Sequence, residues 1–148
     1  MDPEQESWRM SAALDGDGTC IAEARHLAAG FLTRLRADHG ILVPSRAMDL
    51  TQLVVSELVT NARKYAPGPV LLDLRVTDEV IEVAVWDSDP VLPVARAADP
   101  GRVGQHGLEI VMAVVQGFEA QREPVGKRIT ARIALFDDPH GSTARRRP

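Results

Sequence analysis

A single cysteine, Cys20, leaves the chain unable to form an internal disulfide, which excludes the stapled scaffolds of small secreted domains. No apolar run approaches the roughly 20 residues that a helix needs to cross a bilayer. The opening residues include Asp2, Glu4 and Glu6, and they have neither the basic flank nor the apolar stretch of a secretory signal. A cytoplasmic protein without a membrane partner is expected. Excess positive charge is also missing. The net charge of −4 argues against direct, sequence-independent nucleic-acid binding, which relies on a positive surface to displace counterions. Two tryptophans are too few for a base-stacking platform. His26, His39, His106 and His140 are scattered without metal-ligand spacing, and no serine sits in a nucleophile elbow. Cys20 has no evident basic partner, so a buried structural thiol is expected.

What remains is the composition of one ordinary domain. A hydrophobic share of 45% over 148 residues is enough for one substantial core. The only basic cluster, Arg145 to Arg147, closes the chain. Residues 138–148 are expected to be a disordered, solvated tail behind a single domain of residues 1–137.

The apolar pattern changes period along the chain. After a weak strand candidate around Trp8 to Leu14, Ile21, Ala24, Ala28, Phe31 and Leu35 recur at helical intervals, with Thr19 or Asp17 placed to cap and Gly40 to stop. A second helix is expected from about Ser45 to Tyr65, with Ala47, Leu50, Val54, Leu58, Ala62 and Tyr65 as its stripe and Pro67 at its end. The period then falls to two. Val70, Leu72, Leu74 and Val76 form one face, Thr77-Asp78-Glu79 can turn, and Ile81, Val83 and Val85 form the next face. Residues 88–105, with three prolines and two glycines, break both patterns and read as a functional loop. Leu108, Val111, Met112 and Val115 mark a third helix stopped by Gly117. Strands near Phe118 to Glu123 and Arg128 to Phe136 follow, joined by Pro124-Val125-Gly126, with Ile129, Ala131, Ile133 and Leu135 on one face. The order predicts an α+β, two-layer sandwich: a mixed, mostly antiparallel sheet covered on one face by three helices.

Three places could carry chemistry. Glu57 and Asn61 lie one turn apart on the second helix and flank its apolar stripe. A carboxylate can take a proton and an amide oxygen can hold Mg²⁺, but a simple helix-edge hydrogen bond uses the same pair. Asp87 continues the odd-numbered core face of its strand, so its carboxylate needs a donor, either a backbone amide of the Asp-Ser-Asp-Pro turn or the amino group of a ligand. Gly101, Gly104 and Gly107 precede the third helix, where free N–H groups and the helix dipole suit phosphate; a flexible loop would use the same residues. Neither a dinucleotide fingerprint nor a P-loop is present.

Together, these segments resemble one superfamily. Ser56-Glu57-Leu58-Val59-Thr60-Asn61-Ala62-Arg63-Lys64-Tyr65-Ala66 resembles the N box of the Bergerat ATP-binding fold shared by gyrase, MutL and histidine kinases. Asp87-Ser88-Asp89-Pro90 sits at its first glycine box, and Gly104-Gln105-His106-Gly107-Leu108 looks like its second, with residues 88–105 as an ATP lid. The short form with "SELVTNA" is similar to RsbW-like anti-sigma-factor kinases. The resemblance implies ATP and Mg²⁺ as cofactors. Asn61 would be the metal ligand, Glu57 the catalytic base and Asp87 the acceptor for the adenine amino group. Gly104 and Gly107 would close on phosphate, with Lys64, His106 and Leu108 completing the nucleotide contacts. It also implies a sigma factor and a STAS-domain anti-anti-sigma protein as partners, the latter phosphorylated on serine or threonine, and a possible homodimer. A catalytically silent ATP-binding regulator and a pure protein-interaction module remain as alternatives. The sequence departs from the family pattern at Asp89, where glycine is usual, at Gln105 beside the lid hinge, and at Lys127-Arg128, where many relatives carry a threonine close to the adenine.

Overall fold

A computed structural model describes residues 7–15, 19–65, 68–77, 79–92 and 106–136. The expected tail, Gly104, Asp17 and most of the expected lid lie outside the described residues.

Among the described residues, eight elements follow in the expected order: β1 (Trp8–Leu14), α1 (Cys20–His39), α2 (Ser45–Tyr65), β2 (Val70–Val76), β3 (Val80–Asp87), α3 (His106–Val114), β4 (Gly117–Arg122) and β5 (Lys127–Ala134). The five strands form one sheet in the order β1-β2-β3-β5-β4. All four ladders are antiparallel, so no parallel pair joins the described strands of the sheet expected to be mixed. α2 is the central helix; it packs on β3, β5 and β2 and touches both α1 and α3.

The period-two faces are buried as expected. Val70, Leu72, Leu74 and Val76 on β2 and Ile81, Val83 and Val85 on β3 meet Ile129, Ala131 and Ile133 on β5 in one core. The helices cover this face with Ala24, Ala28, Phe31, Leu32 and Leu35 from α1 and Leu108 and Val111 from α3. Cys20 is fully buried, as a structural thiol should be. Each large core side chain contributes about 1.5–3 kcal/mol by leaving water.

The opposite face of the sheet is charged. Asp73 accepts from Arg9 (2.9 Å), Arg128 (2.9 Å) and Ser11 (3.2 Å), while Arg132 donates to Glu82 (3.1 Å) and Glu119 (2.8 Å). The hydrogen bond from Arg9 chiefly holds the Asp73 carboxyl below its usual 3.8; burial opposes it, and the weaker bond from Arg128 adds to it.

Local details refine the expected elements. Thr19 occupies the N-cap of α1 but makes no side-chain capping bond. Gly40 ends α1 in the left-handed conformation at φ 67°, and its N–H bonds the Arg36 carbonyl at 3.1 Å in an αL cap, while Ile41 N–H reaches back to the Leu35 carbonyl at 3.2 Å. α2 buries more than the expected stripe. Thr51, Val55 and Val59 are also buried, because a helix flanked by α1, α3 and the sheet hides a wider arc than a surface helix does. Leu50 is only half-buried. Met112 was expected on the inner stripe of α3 but is 49% exposed, since only Leu108 and Val111 of that short helix face the core. Among the described residues, no helix is long and apolar enough to cross a membrane.

Candidate functional site

The helix-borne residues stand where their spacing puts them. Glu57 and Asn61 are both half-buried, one turn apart on α2, at the edge of its buried arc. Glu57 lines a cleft of about 660 Å³ between α1 and α2, together with Ala22, Arg25, His26, Ala29, Gln52, Leu53 and Ser56. Neither Asn61 nor Asp87 lines this cleft. Lys64 is exposed in the last turn of α2, and Leu108 is buried beneath α3. His106 and Gly107 open α3, while their side-chain surroundings lie outside the description.

Asp87 sits at the end of β3 on the helix-covered face and is 1% exposed. Both donor readings of the sequence bear on it. The first is satisfied within the chain: the Asp89 backbone N–H donates to Asp87 Oδ1 at 2.8 Å, an Asx-type turn. A second donor comes from across the sheet. Lys127 pairs directly with Asp87 in the β3–β5 register, so both side chains point to the same face. Its ammonium is fully buried, donates to Asp87 Oδ1 at 3.0 Å and to the Asp89 carbonyl at 3.1 Å, and lies 3.8 Å from Asp89 Oδ2.

The β4–β5 turn locks this arrangement. Gly126 adopts φ 78°, and a Cβ built there would fall 1.9 Å from the Asp87 carbonyl oxygen. Only glycine lets the turn lie this close against the end of β3. Trp86 Nε1 donates to the Val125 carbonyl at 2.8 Å, and Arg122 Nε donates to the Pro90 carbonyl at 3.3 Å. Residues 122–127 therefore clasp residues 86–90 from several sides. The sequence reading treated Pro124-Val125-Gly126 only as a connector. The missed signal was parity: Lys127 continues the odd-numbered face of Ile129, Ala131 and Ile133, just as Asp87 continues that of Val83 and Val85.

Among the described residues, three helices on one face of a five-stranded antiparallel sheet, with a carboxylate–amide helix against the strand that ends in a buried aspartate, define a Bergerat-type nucleotide-binding architecture. The chain belongs to the histidine kinase-like ATPase domain family, which matches residues 20–133. Membership implies ATP as the nucleotide. Among solved structures, it is similar to that of the RsbU and RsbW domains of a Mycobacterium tuberculosis protein, with a TM-score of 0.59 at 18% identity. That likeness covers 86% of this chain but only 32% of the other, and at this identity it speaks for the fold alone. No curated protein matches the sequence.

The residues fit the implied group unevenly. On α2, an amide, a half-buried carboxylate and the exposed basic side chains of Arg63 and Lys64 make a donor set suited to a metal-bound polyphosphate. At the end of β3, the Asp87 carboxylate lies on the helix-covered face and is already bonded to Lys127.

Proposed function

We propose that this domain is an ATP-binding anti-sigma factor that acts as a serine/threonine protein kinase on a STAS-domain partner. The observation that carries this reading is the placement of α2. One turn of that helix presents Glu57 at an open cleft and the next presents Asn61, while the same helix packs on the strand that ends in Asp87.

The roles are those the family resemblance implies, and the chemistry of each side chain suits its role. The Asn61 side-chain oxygen would ligate Mg²⁺, and the Asp87 carboxylate would accept from the adenine amino group. Bound ATP would supply a transferable γ-phosphoryl group. Glu57, at the cleft wall, would take the proton from a partner hydroxyl as its oxygen bonds to the γ-phosphorus and the bond to the β–γ bridging oxygen breaks, releasing ADP. Arg25 and His26 face the same cleft from α1 and can donate hydrogen bonds to a docked loop. Such transfer needs positioning and charge neutralisation more than covalent help from the protein.

A second reading has one specific observation in its favour. The Lys127 ammonium already donates to the Asp87 carboxylate on which base recognition would draw. In that reading the domain binds its partners as a catalytically silent regulator, and nucleotide only adjusts affinity.

Incubation with γ-labelled ATP, Mg²⁺ and a candidate STAS-domain protein separates the two. The kinase reading expects label on a partner serine or threonine and its loss in Glu57→Gln. Complex formation without label, in the parent protein, would refute the kinase and leave the silent regulator.

A further inference from the structure

The Asp87–Lys127 pair stands out because both charges are fully buried at the place where the family reading, on which this inference rests, puts the purine. We propose that Lys127 is a resident competitor for the nucleotide base: its ammonium offers Asp87 the N–H donor that an exocyclic amino group would offer, so base binding requires the pair to separate. Lys127 is then the residue that sets nucleotide affinity in this domain.

Four observations converge on this role. Lys127 faces Asp87 directly across the β3–β5 ladder, so the contact follows from register rather than from a chance rotamer. The ammonium has three donors, and Asp87 Oδ1 and the Asp89 carbonyl accept at 3.0 and 3.1 Å, with Asp89 Oδ2 at 3.8 Å. Neither charge reaches water, with exposures of 0% for Lys127 and 1% for Asp87, so separating them without a replacement partner is costly. Finally, Gly126 presses the turn against the Asp87 backbone, so the strand ends cannot easily part. The lysine side chain has to swing out instead.

The partner of Asp87 also bears on the segment beyond it. Lys127 holds the Asp89 carbonyl, Asp89 Oδ1 accepts from Val91 N–H at 3.1 Å, and Arg122 holds the Pro90 carbonyl. When the ammonium leaves Asp87, it also releases one of the ties that fix residues 88–91. Base binding is thereby coupled to loosening of the chain that leads away from the site. A protein whose binding-competent fraction is small shows an apparent Kd raised by the inverse of that fraction. If the pair is closed in nine molecules of ten, removing the lysine tightens binding about tenfold.

The test is calorimetric titration of Mg·ATP into the full chain and into Lys127→Thr, Lys127→Met, Asn61→Ala and the double variant Asp87→Asn/Lys127→Thr, with circular dichroism confirming the fold of each. Threonine keeps a hydroxyl for Asp87 while withdrawing the charge; methionine keeps the volume. The expected result is a Kd lower by about tenfold or more in one or both single Lys127 variants, with the gain lost in the double variant. An unchanged or weaker Kd in every folded Lys127 variant, with parent binding intact and abolished by Asn61→Ala, overturns the competitor role and leaves the ATP-site reading standing. Tighter binding that persists in the double variant overturns it too, because Asp87 is then not what the lysine was blocking. No binding by the parent or any folded variant overturns the ATP-site reading itself, and the inference with it.

Discussion

Gly126→Ala perturbs the site through a single methyl group. Two costs add. At φ 78° an L-residue occupies the left-handed region, at about 1–2 kcal/mol. The new Cβ would also stand 1.9 Å from the Asp87 carbonyl oxygen and 2.9 Å from Ser88 Cα, both backbone atoms that cannot rotate away. Relieving such overlap in a packed region costs about 1–3 kcal/mol more. The sum is roughly 2–5 kcal/mol, or about 4–20 °C in Tm for a domain of this size. Gly40→Ala is the matched control, with φ 67° and nothing within 4 Å of the added carbon, so only the conformational cost of about 1–2 kcal/mol applies. Urea unfolding followed by circular dichroism, run in parallel on both variants, reads the difference. If Gly126→Ala loses no more than Gly40→Ala, the turn does not press on β3 and the clasp around Asp87 is misdrawn.

Other expectations follow from the same geometry. Leu58 is fully buried on α2, and Leu58→Ala is expected to cost about 2–5 kcal/mol by urea unfolding, with the larger values if the cavity stays open. Thr51 is fully buried and bonds the Ala47 carbonyl at 2.7 Å within its own helix; because that carbonyl still serves the helix ladder, Thr51→Val should change stability by less than about 1 kcal/mol. Asp73 has a carboxyl held below 3.8 in the folded state, so its contribution is complete above that value and is lost as pH falls through the lower folded pKa. Stability measured from pH 6 down to pH 2 should therefore fall less steeply in Asp73→Asn than in the parent, and an identical slope would contradict the Arg9–Asp73–Arg128 contact.

Much of the fold was legible because its signals are periodic. The change from helical to alternating spacing after Tyr65 located the β2–β3 hairpin, and the alternating faces of β2, β3 and β5 are the buried ones. The width of the α2 interface was not legible. Thr51, Val55 and Val59 are buried by α1, α3 and the sheet acting together, and a one-stripe reading has no way to count a helix's neighbours. Met112 failed for the opposite reason, since a nine-residue helix with two inward positions leaves apolar side chains outside. At the site, strand parity placed Asp87 correctly and the Asp-Ser-Asp-Pro turn named one of its donors. The family resemblance already put Lys127 near the adenine, but its parity with Ile129, Ala131 and Ile133 went unused, and it is the cross-strand register that brings it onto the buried Asp87 carboxylate.

In the proposed reading, nucleotide binds where α2 meets the ends of β3 and β5. Amide chemical-shift mapping of the ¹⁵N-labelled chain during titration with Mg·ATP tests it most directly. The largest shifts are expected at Glu57 to Lys64, at Trp86 to Asp89 and at Gly126 to Arg128. Shifts confined to the outer side of α1 and to β1, or none at saturating nucleotide, would contradict it.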